Sequence, residues 1–255
     1  MCYAPAVAAE QRIAFDSGRG AVLAGVVHRP EDWRAGGPAA VVCHGMLSSK
    51  DSPKHTGMAR RLAARGLMAL RFDFAGRGES GGTLRDLTCS GEVGDLAAAV
   101  GLVRSMGAGS VSLVGSSLGG AVAILYAGGR GEVRGIAVMA SVSRPGAVLA
   151  DSLGPEKMED WRRAGVLRLE EGYLGWTFQE DASRQDVVAA ASRISCPALF
   201  VHGSADEVVP PASSHELHAA AAGPKRLVVI DGADHVFSDP AHLERAVALV
   251  VDWIV

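Results

Sequence analysis

The chain of 255 residues predicts an α/β fold, a mostly parallel eight-stranded sheet with helices on both faces, and three observations carry that expectation. Short apolar runs alternate with segments of helical periodicity from about residue 39 onward. Most of these runs are continuously apolar, as strands of a parallel sheet are when helices cover both sides. One of them breaks into a glycine- and serine-rich turn that leads into another helical segment, a strand–turn–helix junction.

The strands are expected at Ala39–Cys43, Leu67–Phe72, Val111–Val114, Ile136–Ala140, Ala198–Val201 and Leu227–Ile230, each buried on both faces. Arg12–Phe15 and Ala21–Arg29 precede the first helix and read as an antiparallel pair at the sheet edge. Val93, Leu96, Val100 and Val103 recur at helical spacing, with Ser90 as the expected N-cap. The last helix carries Leu243, Val247, Val250, Val251 and Ile254 on one side and starts at Asp239-Pro240, an N-cap followed by proline at the first helical position. About 55 residues, Val142 to Pro197, separate two consecutive strands, far more than a crossover needs. That stretch, with Trp161, Tyr173, Trp176 and Phe178 and helical pieces near Pro155–Leu169, is expected to form a cap (142–197) on a core made of 1–141 and 198–255. The cap would sit at the C-terminal edge of the sheet, where open α/β sheets bind ligands, and its four aromatics are candidates for a substrate pocket.

Composition narrows the function. A net charge of −3 without any lysine- or arginine-rich run leaves no electrostatic footprint for nucleic acid or an anionic membrane surface. The apolar stretches are too short for a transmembrane helix. The start of the chain lacks the basic and apolar regions of a signal peptide, so a cytoplasmic location is expected. Cys2, Cys43, Cys89 and Cys196 lack metal-ligand spacing, and Cys43 and Cys196 are expected as free thiols in or beside strands. Neither a metal nor another cofactor is expected.

The chemistry concentrates at Gly115-Ser116-Ser117-Leu118-Gly119, a G-x-S-x-G pattern. A strand that turns sharply into a helix needs glycines two residues either side of the serine, and the turn lifts the Ser117 hydroxyl above the sheet. A hydroxyl is a poor nucleophile until a base takes its proton, and the base is best a histidine oriented by a carboxylate. Asp206 stands just past the strand Ala198–Val201, and His235 just past the strand Leu227–Ile230, in the chain order serine, acid, histidine. Glu207 is the substitute for Asp206, while Asp231 and Asp234 are too close to His235 along the chain to face its ring. The developing oxyanion needs two donors: the N–H of Leu118, and the N–H of Met46 in the loop His44-Gly45-Met46. His44 and His202 end strands and are expected to bond backbone. Asp73 and Ser80, in Asp73-x-x-Gly76-x-Gly78-x-Ser80, are expected to stabilise a loop.

Together these features resemble the α/β-hydrolase superfamily, from about Ala39 to the C-terminus. Arg71-Phe72-Asp73-Phe74, Ser90 to Leu96 and Lys50 in His-Gly-x-x-x-x-Lys make it similar to feruloyl/cinnamoyl esterase-like carboxylesterases, beside the serine aminopeptidase and lysophospholipase-like groups. Met46 replaces a frequent aromatic, and Asp51-Ser52-Pro53 an acidic-Ser-His stretch. The resemblance implies a cofactor-free serine carboxylesterase acting on small to medium esters, with a possible homodimer. Thioesterases, lysophospholipases and serine peptidases share the triad, and a non-catalytic ligand-binding protein on this fold is the alternative of another class.

Overall fold

The computed structural model describes residues 9–130 and 132–255; Cys2 and the start of the chain read above lie outside them. Eight strands form one sheet: β1 (Ala9–Asp16), β2 (Val22–Arg29), β3 (Pro38–Cys43), β4 (Met68–Phe72), β5 (Ser110–Ser116), β6 (Gly135–Met139), β9 (Ala198–Gly203) and β10 (Lys225–Ile230). Their order is β1-β2-β4-β3-β5-β6-β9-β10. β1 and β2 pair antiparallel at one edge, and every pairing from β4 to β10 is parallel. The fold is the α/β architecture the sequence predicts, with strand ends displaced by one to three residues.

Because successive side chains of a strand face opposite ways, a sheet covered on both sides is apolar without alternation. In β3, Val41 packs into the core on one face and Ala40 and Val42 into the core on the other. The first face is closed by α2 (Cys89–Ser105), α3 (Leu118–Arg130) and α7 (Ala212–Ala220), through residues such as Leu96, Val100, Val122, Ile124 and Leu217. The second is closed by α1 (Pro53–Ala64) and α8 (Pro240–Ile254), through Met58, Leu62, Val247, Val250 and Ile254. α8 starts as expected, with the Asp239 carboxylate accepting from the Ala241 N–H and Pro240 at the first position.

Three expectations need correction. β10 is not buried on both faces: it is the sheet's outer strand, with Lys225, Arg226 and Val229 exposed. The N-cap of α2 is Thr88 rather than Ser90; Thr88 is extended (φ −144°, ψ 152°) and its hydroxyl accepts from the Gly91 N–H at 3.0 Å. Ser90 instead donates its N–H to Asp181 at 2.9 Å, tying the helix start to the long insertion. Helix does not run through Pro155–Leu169. α4 (Pro145–Ala164) is broken at Gly154 (φ 75°) before Pro155 and stopped by a left-handed Gly165 (φ 73°), so Val166–Leu169 becomes β7, which pairs antiparallel with β8 (Gly172–Gly175).

α5 (Trp176–Ala182) packs with α4 and β8 outside the main core. α6 (Val187–Ser192) belongs to the core layer instead, since Val187, Ala190 and Ala191 lie in the same buried cluster as α3. Among the described residues no helix is long and apolar enough to cross a membrane.

Candidate active site

β5 ends at Ser116 and α3 begins at Leu118, so Ser117 alone makes the turn. It sits at φ 55°, a left-handed conformation uncommon outside glycine, of the kind that collects at functional sites. Its N–H donates to the Met139 carbonyl at 2.9 Å, which pins the turn to β6. The flanking glycines are sterically required. A Cβ on Gly115 would stand 2.4 Å from the Gly119 carbonyl oxygen, and one on Gly119 would stand 2.3 Å from that of His44.

Two loops reach the same spot from the C-terminal ends of β9 and β10. Ala205 N–H donates to the Ala233 carbonyl at 3.0 Å and Ser204 N–H to that of Ile230 at 2.9 Å, so the loops carrying Asp206 and His235 are laced to each other. His235 Nδ1 lies 2.8 Å from Asp206 Oδ2, and His235 Nε2 lies 3.1 Å from Ser117 Oγ. An ionised carboxylate only accepts, so Nδ1 carries the proton and Nε2 is free to accept from the Ser117 hydroxyl. Asp206 Oδ1 accepts from the N–H groups of Val208 and Val209, at 3.0 and 2.8 Å.

His202 adds a contact that the sequence does not reveal. Its Nε2 lies 2.9 Å from the Val209 carbonyl, as a strand-end histidine was expected to bond backbone, but also 3.1 Å from Asp206 Oδ2. Both partners accept, so that nitrogen carries the hydrogen, while Nδ1 accepts from the Ser214 hydroxyl at 2.6 Å. Burial alone would raise the Asp206 carboxyl; the donors from His202, His235 and Val209 outweigh it and hold it well below the usual carboxylate range.

The competing carboxylates are occupied elsewhere. Asp231 accepts from the Ser204 hydroxyl, Asp234 from the Ser238 N–H, and Glu207 is exposed on the wall of a different cavity.

Gly45 and Met46 face the turn. A Cβ on Gly45 would stand 3.2 Å from Ser117 Cβ, and Met46 lines the same cavity as Ser117 and His235. Among the described residues, the N–H groups of Met46 and Leu118 have no protein acceptor. The loop is held from behind. His44 Nδ1–H donates to the Gly45 carbonyl at 2.7 Å and its Nε2 accepts from the Phe74 N–H at 3.1 Å; burial lowers this histidine to a pKa of about 4, so it stays neutral. Lys50 donates to Asp73, Asp51 and Glu79 at 2.6–2.9 Å, and Asp73 also accepts from the Lys50 and Glu79 N–H groups. Ser80 donates to the Asp73 carbonyl at 2.6 Å. Asp73 and Ser80 therefore bind two loops together, as expected.

The cavity beside Ser117 has a volume of about 250 Å³ and is walled by Met46, Leu47, Ser116, Val208, His235 and Val236, among others. None of the four insertion aromatics lines it. Trp161 and Phe178 are buried in the insertion's own cluster, where Trp161 donates to the Leu174 carbonyl and meets Trp176 edge-on; Tyr173 is exposed. That cluster reaches the site through Leu118 and Met46. A larger cavity of about 690 Å³, between α4 and the loop after β9, shares Val208 with the small one but holds none of Ser117, His235 or Asp206. The small cavity is where a reacting group could meet the serine.

The alpha/beta hydrolase family profile matches residues 40–253. YfhR of Escherichia coli K12 is 30% identical over 214 residues, covering 80% of this chain and 67% of its own length. The rat mitochondrial palmitoyl-protein thioesterase ABHD10 is 25% identical over 227 residues, covering 85% and 75%. Among solved structures, Est1E from Butyrivibrio proteoclasticus with ferulic acid bound superposes with a TM-score of 0.80 at 21% identity, covering 95% of this chain and 97% of that one. At that identity the likeness is one of fold. With five-sixths of its length matched by the family profile, and the sheet order and strand–turn–helix junction in place, the chain belongs to the alpha/beta hydrolase family.

Proposed function

We propose that the protein is a serine carboxylesterase that cleaves small to medium carboxylic esters through an acyl-enzyme intermediate. The observation that carries the reading is the unbroken line of contacts from Asp206 Oδ2 to His235 Nδ1 and from His235 Nε2 to Ser117 Oγ.

The Ser117 hydroxyl gives its proton to His235 Nε2 as the oxygen attacks the ester carbonyl. Asp206 orients the ring and stabilises the imidazolium, and the carbonyl oxygen, now an oxyanion, accepts from the Met46 and Leu118 N–H groups. His235 returns the proton to the departing alkoxide, the C–O bond breaks, and the acyl group remains on Ser117. A water then gives a proton to His235 and attacks the acyl carbon. Collapse releases the acid and restores the serine. No step needs a cofactor. α4, β7, β8 and α5 would act as the cap over this edge of the sheet.

The same machinery would open a thioester, and the likeness to a palmitoyl-protein thioesterase favours that as the second reading. Size supports a short acyl group: about 250 Å³ is below the roughly 300–1,000 Å³ of ordinary ligand sites, and a palmitoyl chain would have to run past Val208 into the larger cavity. A panel of p-nitrophenyl esters graded by acyl length, run beside an acyl thioester and a hydroxycinnamate ester, tests the reading. Turnover highest for the short oxygen esters is the expected outcome. Ser117→Ala should lower kcat by about a millionfold, the scale of losing a triad nucleophile. Ester turnover that survives this substitution refutes the assignment.

A further inference from the structure

Lys54 has no assigned part in the reaction described above, yet its ammonium reaches the cavity beside Ser117. The side chain leaves the first turn of α1, its Nζ lies 5.9 Å from the centre of the Phe237 ring, and it donates to the Ser116 hydroxyl at 2.7 Å. Ser116 is the residue immediately before Ser117.

This is a costly place for a cation. The ammonium is largely removed from water, and burial lowers it to a pKa of about 8 against the longer-range pull of Asp234 and Asp206. It also sits at the positive end of the α1 dipole, where a negative group is the favoured neighbour. Among the described residues no carboxylate lies within 4.0 Å of it. Lys50, four positions earlier, has three carboxylates within that distance. A neutral residue would serve packing better, so a largely buried ammonium with no carboxylate within salt-bridge distance among the described residues, beside the cavity at Ser117, points to a negative charge supplied from outside.

We propose that Lys54 is a specificity-determining residue: its ammonium binds a carboxylate carried by the substrate a few bonds from the scissile ester, so the preferred substrates are short esters with an acidic end. The inference rests on the esterase reading for the word substrate, but the anion site itself does not depend on turnover. Lys54, Ser116 and Ser117 line the same cavity of about 250 Å³, so a group held by the ammonium shares that small space with a carbonyl at Ser117. When the anion binds, the ammonium turns part of its donor capacity from the Ser116 hydroxyl to the carboxylate oxygens. A charge-assisted hydrogen bond in a poorly hydrated site is expected to contribute a ten- to hundredfold preference, in order of magnitude.

Two substrate pairs keep one scissile group and replace the carboxylate by its methyl ester, with rates counted per shared ester bond. Monomethyl glutarate against dimethyl glutarate puts the carboxylate on the acyl side, and 4-acetoxybenzoate against its methyl ester puts it on the alcohol side. In the wild type, kcat/KM should favour the anionic member of at least one pair by tenfold or more. Lys54→Met should lower that ratio by about the same factor, and Lys54→Arg should retain most of it. Equal ratios in wild type and Lys54→Met for both pairs overturn the proposal while leaving the esterase reading intact. If the wild type hydrolyses no ester at all, the esterase reading fails, and calorimetry on Ser117→Ala decides the anion site by itself. Monomethyl glutarate should bind more tightly than dimethyl glutarate, and only when Lys54 is present; equal binding of the two refutes the site.

Discussion

A serine is an ordinary alcohol until its surroundings make it otherwise, and the contacts of Ser117 specify what those surroundings supply. The proton on His235 Nδ1 is fixed by an acceptor-only carboxylate 2.8 Å away, which leaves Nε2 free to accept one, as the proposed reaction requires. Asp206→Asn puts an amide in that place and lets the ring adopt the wrong tautomer. The expected result is a loss of about four orders of magnitude in kcat with KM little changed, checked by steady-state kinetics on a short ester. That Ser117, Asp206 and His235 meet was legible because each has a local mark: a glycine-flanked turn for Ser117, and strand ends in the right chain order for Asp206 and His235. His202 and Lys54 carry no such mark. His202 meets Asp206 because the loop after β9 folds back over its own strand end, and Lys54 meets Ser116 across 62 positions of chain, through packing alone.

At the scale of elements, the strand–turn–helix junction is built from close backbone approaches rather than from side-chain packing. Gly119→Ala would press a Cβ into the His44 carbonyl, a backbone atom that cannot swing aside. It should destabilise the fold by about 1–3 kcal/mol and lower turnover by moving the Ser117 turn. Gly101 in α2 is the contrasting case, since a Cβ there meets nothing within 4 Å. Gly101→Ala should raise stability by up to about 1 kcal/mol without affecting activity; chemical denaturation measures both variants. The α2 cap shows why such boundaries are hard to read. Thr88 and Ser90 are both good caps by type, and only the Asp181 carboxylate, 91 positions further along, draws Ser90 away. The insertion aromatics are a similar case: amphipathic rings fit a pocket or a small core equally well, and here the hairpin β7–β8 gives Trp161 an acceptor inside the insertion.

Across the whole molecule, the sheet was legible because two covered faces demand continuous apolar strands, and the misread strand is the one at the outer edge, where that demand lapses. Its buried histidines make stability depend on pH. Burial lowers His28 to a pKa of about 4, assisted by Arg71, and the Arg71 Nε–H donates to its Nε2 at 2.9 Å. The unfolded chain takes up this proton near pH 6.5 and the folded chain only near 4, so His28 contributes stability above pH 6.5 that is lost between 6.5 and 4. The loss is on the order of 3 kcal/mol. His28→Gln keeps an acceptor for Arg71 and should flatten that part of the curve, as urea unfolding at pH 6.5 and pH 4 will register. The site survives only as long as this scaffold holds three separate loops at one edge of the sheet. The most direct measurement is reaction with a fluorophosphonate followed by peptide mapping. One adduct per chain is expected, on Ser117, abolished by His235→Ala. A protein that stays unmodified, or that carries the adduct on another residue, contradicts it.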